Sequence, residues 1–178
     1  MIKKWKIQDR KRVFHSKFVS VYSDKVRLSN GKVIPDYTVV KKKEYVMVVA
    51  TDTKNRLIIE KEYKHGSRQV HLTLPAGLID EGENPVQAAK RELEEETGYT
   101  KGKFKLIAAI YEDPAKIMSR IYVVRATGLS VRNYQKLEDT EDIEVNLITV
   151  AELKKQIKQK KWSSCGALAA FVLSGLLF

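Results

Sequence analysis

Residues 91–96 read Arg91-Glu92-Leu93-Glu94-Glu95-Glu96. Wound at about 100° per residue, Glu92, Glu95 and Glu96 fall within about 100° of one another, and Glu94 points away. Three neighbouring carboxylates repel, and near a helix C-terminus the dipole disfavours each by roughly 0.3–1 kcal/mol. Helix stability would not choose this arrangement. A hard divalent cation resolves it, since Mg²⁺ is typically held by one or two carboxylates with substrate phosphates completing its shell. Arg91 lies about a turn before Glu95 and can hold that carboxylate, and Glu83 precedes the helix. The competing reading is an acidic, solvated helix face. An ordered series of loop, helix and acids argues instead for a built site.

The helix carrying these acids has its own punctuation. Asn84 is placed as N-cap, Pro85 as first helical residue, Gln87 as the partner in a capping box and Gly98 as the C-terminal stop. A helix from about Pro85 to about Thr97 is expected. Val86, Ala89 and Leu93 form its apolar stripe. The acids are expected on the neighbouring, open face, with small Ala88 leaving room for an approaching group.

The spacing Gly77, five residues, Glu83, seven residues, Arg91-Glu92-Leu93, one residue, Glu95-Glu96, one residue, Gly98-Tyr99 resembles the Nudix box. It departs only at Tyr99, where the family usually has an aliphatic residue in a packing position. The box marks hydrolases of nucleoside diphosphates linked to another moiety. The resemblance implies an α/β fold, a Nudix α/β/α sandwich with a mixed sheet preceded by a small N-terminal antiparallel β-meander. It implies Mg²⁺ (or Mn²⁺) on Glu92, Glu95, Glu96 and the Ala76 carbonyl, with Arg91 and Glu83 positioning the acids. Leu74 to Asp80 resembles the entry to the box in ADP-ribose and nucleotide-sugar pyrophosphatases. Pro114 lies sixteen residues beyond Gly98, close to a marker proline of the ADP-ribose enzymes. Glu138 to Val145 resembles their acidic loop, and Glu141, then Asp139, best matches its catalytic carboxylate. Lys64, Arg68 and Pro114 are the substrate-side candidates. The departures are Lys64 for the usual arginine, Thr73 for a glutamate, and Ala115 and Ser119 for a glycine and a glutamate. Lysine keeps the charge of arginine but loses its bidentate fork. The expected reaction is hydrolysis of a nucleoside diphosphate sugar, ADP-ribose first among them, to a nucleoside monophosphate and a sugar phosphate.

Composition sets the outer bounds. A chain of 178 residues, 43% hydrophobic and 31% charged, suits one main core. A net charge of +11 suits an anionic partner without choosing among phosphorylated small molecules, nucleic acid and membrane surfaces. Action on RNA 5′ ends or (d)NTPs, and non-catalytic nucleotide binding, are therefore the rival readings; a nucleic-acid partner is not expected, nor a membrane. The single cysteine, Cys165, lies in an apolar segment, where burial rather than nucleophilic chemistry is expected. It fits a reducing, cytoplasmic setting. His15, His65 and His71 have no metal-ligand spacing.

Around the box the elements are coarser. A β-meander is expected over 1–42, from alternating runs at Val19 to Tyr22 and Val26 to Leu28, an Asn30-Gly31 hairpin and a returning edge strand from Val33 to Val40 carrying Pro35. It holds few large apolar side chains and must pack on something; the resembling subfamily exchanges such a sheet across a homodimer. The hydrolase domain is expected over 43–178. It opens with the buried strand Tyr45 to Ala50 and has further strands at Arg56 to Glu60, Val70 to Leu74, Phe104 to Tyr111, Arg120 to Ala126 and Ile143 to Ile148. Residues 127–142 read as a polar loop. Thr149 and Glu152 open a lysine-rich helix through a capping box, and a buried terminal helix is expected over Gly166 to Phe178 after Ser163 or Ser164.

Overall fold

The computed structural model describes residues 2–178. The chain divides into two compact units: residues up to Glu44 together with Tyr111–Arg120, and Tyr45–Ile110 together with Ile121–Phe178.

In the first unit, β1 (Lys6–His15), β2 (Val19–Arg27) and β3 (Val33–Lys42) form an antiparallel meander in the order β1-β2-β3. The two alternating runs before Asn30 merge into the single strand β2, with a register shift between Asp24 and Val26. Gly31 takes the left-handed φ of +86° that the hairpin needs. Pro35 lies on β3, an edge strand, where its missing N–H costs little. Every residue of β1 is exposed. The strand is tied down by Arg10, whose Nε and Nη2 donate to the buried Asp24 carboxylate at 2.7 and 2.6 Å. Residues 111–120 run beside β3. The Val40 N–H donates to the Lys116 carbonyl at 2.8 Å, and the Met118 N–H to the Val40 carbonyl at 2.9 Å. Ser119 extends this contact: its Oγ accepts the Lys42 N–H at 2.9 Å and donates to the Lys42 carbonyl.

The second unit is built on β4 (Tyr45–Asp52), β5 (Leu57–Lys64), β6 (Gln69–Thr73), β7 (Ala76–Leu78), β8 (Tyr99–Thr100), β9 (Lys103–Tyr111), β10 (Arg120–Val131) and β11 (Ile143–Ile148). Its helices are α1 (Pro85–Thr97), α2 (Val150–Lys158) and α3 (Cys165–Leu173). The sheet runs β11-β5-β4-β10-β8, with β6 on β5, β7 on β4 and β9 on β10. It is mixed: β4 and β10 are parallel, whereas β5 is antiparallel to β4, β6 and β11. The run Tyr45 to Ala50 is apolar throughout because both faces of β4 are covered. Val46, Val48 and Ala50 join Ile58, Ala88, Ala89 and Leu93 in the core under α1. Met47 and Val49 join Leu57, Ile59, Leu153, Trp162 and Phe171 in the core under α2 and α3. Successive strand residues point to opposite faces, so one sheet fills both layers of an α/β/α sandwich.

Three expectations need correction. β10 continues to Val131, so the loop expected over 127–142 starts later. Gly128 (φ +70°) and a register shift between Ala126 and Leu129 carry the strand through a polar stretch. The terminal helix is Cys165–Leu173, capped by Ser164, and it stops well short of Phe178; Gly175 adopts a left-handed φ of +77°. Cys165, in the first turn of α3, is exposed rather than buried. Among the described residues no helix is long and apolar enough to cross a membrane.

Candidate active site

α1 spans Pro85–Thr97, as its caps require. Asn84 Oδ1 accepts the Val86 and Gln87 N–H groups at 3.0 and 3.1 Å, and Gln87 Oε1 accepts the Asn84 N–H at 2.9 Å. Gly98 (φ +70°) closes the helix through its N–H to the Glu94 carbonyl at 2.9 Å, and a Cβ there would collide with the Asn133 carbonyl. The last helical carbonyls would otherwise lack partners. Lys136 N–H donates to the Glu95 carbonyl at 2.8 Å and Gln135 Nε2 to the Glu96 carbonyl at 2.7 Å. These bonds anchor the loop after β10 at the end of α1. They bring Lys136, Glu138 and Glu141 to a cleft of about 610 Å³, also lined by Lys64, Thr73, Ala76, Gly77, Asp80, Arg91, Glu92 and Glu95.

Arg91 is the hub of the box. Its Nε and Nη2 grip the Glu83 carboxylate at 2.9 and 2.8 Å, its Nη1 reaches Glu92 at 2.8 Å and Glu95 at 3.3 Å, and its Nη2 also donates to the Leu78 carbonyl at 3.0 Å. The bonds from Arg91 hold the Glu83 carboxyl below the usual carboxylate range. The loop before the helix is thereby fastened to the acids.

Glu95 keeps a half-exposed side chain, but Glu92 and Glu96 do not face open solvent, which corrects the expected exposed face for those two. Glu96 is only 4% exposed and accepts the Ala76 N–H at 3.0 Å. Glu92 is largely buried, with its carboxylate lying where a Cβ on Gly77 would be; any larger residue at 77 would displace it. The cause is helix geometry. Ala88 and Ala89 are fully buried, so α1 lies flat on the sheet, and the row Ala88, Glu92, Glu96 goes under with the apolar stripe. Burial pushes the Glu96 carboxyl upward, and the nearby Glu60 adds to the shift. Burial also raises Glu92, against the opposing pull of Arg91. Glu60, on β5, was not singled out by sequence. It is 1% exposed, burial pushes its carboxyl upward, and its Oε1 is sealed from solvent without a hydrogen-bond partner.

These donors fit a hard divalent cation. Glu92, Glu95, Glu96 and Glu60 offer only oxygen, and an orphaned buried carboxylate oxygen is a group awaiting a positive partner. Among the described residues no three acidic, His or Cys side chains converge into a ready-made cage. Arg91 ties Glu92 and Glu95 together at 2.8 and 3.3 Å. Ala76 is beside the row, on β7.

The remaining candidates separate. Lys64 lines the cleft and pairs with Glu62 at 2.5 Å. Glu141 also lines it and lies close enough to raise Glu92 and Glu96 further, whereas Asp139 is exposed outside it. Arg68 sits in the β5–β6 turn with a left-handed φ of 56°, exposed and away from the lining. Pro114 belongs to the first unit. His71 is clamped between Ser67 Oγ at 2.5 Å and Ser163 Oγ at 2.8 Å, and neither His71 nor His65 lines the cleft. Tyr99 is buried in the core under α1, a packing residue as expected. Lys136 and Glu60 were missed. Lys136 lies in a stretch without periodicity, and Glu60 follows the apolar run Leu57 to Ile59 and opens the charged run Glu60-Lys61-Glu62, as a residue leaving the core would.

Comparison with known proteins gives concordant matches. The NUDIX domain family matches residues 41–165, and the nucleoside diphosphate sugar hydrolase N-terminal domain matches residues 5–40. An ADP-ribose pyrophosphatase of Bacillus subtilis is 31% identical over 153 residues, covering 85% of this chain and 82% of that protein. A methanol dehydrogenase activator of Bacillus methanolicus is 29% identical over 150 residues, covering 84% and 80%. Among solved structures, an ADP compounds hydrolase superposes with a TM-score of 0.84 at 24% identity, covering 98% of this chain and 94% of that one, a likeness of fold.

Proposed function

The chain belongs to the Nudix hydrolase family, and from that premise we propose that it hydrolyses the pyrophosphate bond of a nucleoside diphosphate sugar, with ADP-ribose as the first candidate. The observation that carries this reading is one cleft lined by Glu92 and Glu95 of α1, by Glu141, and by Lys64, Arg91 and Lys136. A diphosphate bridge resists attack because its oxygens are anionic and the leaving group takes up further charge. A bound Mg²⁺ or Mn²⁺ on Glu92, Glu95, Glu96 and the Ala76 carbonyl supplies charge neutralisation and orientation. Lys64 and Lys136 offer positive charge to the phosphate oxygens. Glu141, in the lining of the cleft, accepts a proton from the attacking water. Arg91, braced by Glu83, keeps Glu92 and Glu95 in reach. The sequence likeness to an ADP-ribose pyrophosphatase across most of both chains supports the substrate class.

The protein acts as a homodimer. The support is β1, whose Ile7, Val13 and Phe14, with nearby Trp5, are about half exposed in the single chain. Such apolar exposure marks an interaction surface. The lone cysteine fits a cytoplasmic setting.

The test is a turnover screen of ADP-ribose, other nucleotide sugars, dinucleotides, dNTPs and capped RNA with Mg²⁺ or Mn²⁺. A diphosphate sugar is expected to be preferred by about tenfold or more, equivalent to roughly 1.4 kcal/mol. Reaction in ¹⁸O-water should label only one of the two products. A tenfold preference for dNTPs or RNA 5′ ends would reject this substrate class and turn attention to the net charge of +11.

A further inference from the structure

Glu60 occupies a position that packing alone would give to an apolar side chain. It shares the α1-facing side of β5 with Ile58, two residues before it, which is fully buried among Ala88, Ala89 and Leu93. In the strand registers Glu60 lies opposite Thr73 of β6 and Val145 of β11. Its side chain is 1% exposed, and its Oε1 has no hydrogen-bond partner. The charged groups that act on it are Glu62, Lys64, Glu141 and Glu92, and Glu60 in turn raises the Glu96 carboxyl, after burial itself. Lys64 is the single cation of that set, and its Nζ is paired with Glu62 at 2.5 Å. Glu96 is buried too, and the Ala76 N–H is its hydrogen-bond donor. Two buried carboxyls therefore share the layer between β5 and α1, and among the described residues the cation acting on Glu60 is already paired.

A carboxylate buried without a partner is destabilising, and an apolar side chain of similar volume would serve the core better. A retained proton can neutralise such a group, but a cation from outside the chain would do so and also give the carboxyl a role in the site. We propose that Glu60 is a further carboxylate ligand of the divalent-cation site, joining Glu96 from the strand side so that the cation is held between sheet and helix. This rests on the reading of the site as metal-dependent and adds a ligand outside the box. A cation gripped from two elements would lock α1 to β5, so metal loading should stabilise the fold as well as the site.

The test uses the full chain and free Mn²⁺, without nucleotide. Mn²⁺ affinity would be measured by calorimetry and by the electron paramagnetic resonance of unbound Mn²⁺, and melting temperature with and without the ion. Wild type, Glu60→Gln and Glu60→Met are compared. The expected result is that both variants bind Mn²⁺ about 10–100-fold more weakly, melt at or above the wild-type temperature without metal, and lose most of the metal-induced rise in melting temperature. Wild-type Mn²⁺ affinity in both variants would overturn the assignment of Glu60 and leave the metal-dependent reading standing. Variants that melt lower than wild type in the absence of metal would also overturn it, since the carboxyl would then be a structural group. A wild-type protein that binds no Mn²⁺ at millimolar concentration would overturn the metal-dependent reading itself, and this proposal with it.

Discussion

At the scale of single residues, Glu96 is both a site acid and a structural acceptor, and the two roles can be separated. Glu96→Gln removes the charge but keeps an oxygen that can accept the Ala76 N–H, now bonded at 3.0 Å. Turnover is expected to fall by about 10²–10³, the typical effect of losing one electrostatic element, while the melting temperature stays within a few degrees of wild type. Near-native turnover with Mg²⁺ would remove Glu96 from the metal set. The spacing of the acids was legible because three carboxylates on one helical face make sense only with a counter-charge. Their burial was not legible, because whether a helix lies flat or tilted depends on the sheet beneath it. Glu60 was hidden for a related reason. Its neighbours Thr73 and Val145 come from strands distant in sequence, and the charged run Glu60-Lys61-Glu62 suggests water where the structure has a protein layer. The resemblance had marked Thr73 as a missing glutamate; the residue opposite it is a glutamate.

At the scale of elements, end signals were the most reliable text. The capping box of α1, its αL glycine and the Thr149–Glu152 box of α2 all stand where the side-chain chemistry placed them. Gly98→Val is expected to destabilise on two counts, a β-branched residue at φ +70° and a collision with the Asn133 carbonyl. Backbone strain alone costs of order 1–3 kcal/mol, and each kcal/mol lowers the melting temperature by roughly 2–4 °C in a chain of this size. An unchanged melting temperature would refute the cap. The β4–β5 turn supplies a pH signature. Burial disfavours charge on Asp52, but bonds from the Arg56 backbone and side chain and from the Lys54 N–H, at 2.8–2.9 Å, outweigh it and lower its carboxyl. A lowered carboxyl contributes stability that is fully present above its ordinary value of 3.8 and is lost as pH falls below it. Asp52→Asn should therefore melt lower than wild type at about pH 6, with the gap closing toward about pH 3. A gap independent of pH would rule out the charged pair as its source. The short strands β7 and β8 escaped the sequence reading because two or three residues carry no periodicity.

At the scale of the whole molecule, the antiparallel meander was legible in the sequence, but the segment that shares its unit was not. Residues 111–120 read YEDPAKIMSR, a turn-rich stretch with no alternation, yet they complete the first unit beside β3. Light scattering at micromolar concentration should give twice the 20.4 kDa chain mass. A monomer at that concentration would reject the dimer. Deleting residues 1–44 should do more than abolish dimerisation. It removes Val40 and Lys42, the backbone partners of Lys116, Met118 and Ser119, and the stranded segment should make the shortened protein aggregate. A shortened protein that stays monodisperse would show that the segment can manage without them.

The divided first unit also has a history in time. A ribosome delivers residue 44 well before residue 120, and at ~5–20 residues per second the interval is about 4–15 s. Throughout that interval the emerging meander carries an edge strand whose backbone partners have not yet been made, and unpaired edges invite the wrong neighbour. The meander, synthesised before residues 111–120, is thus finished only after them. A nascent chain stalled with residue 110 just outside the tunnel should remain protease-sensitive across residues 33–42, and one stalled with residue 125 outside should be protected there. Neighbouring ribosomes on one message hold identical unfinished edges close together during that interval, so pairing between two nascent copies competes with the return of each chain's own segment.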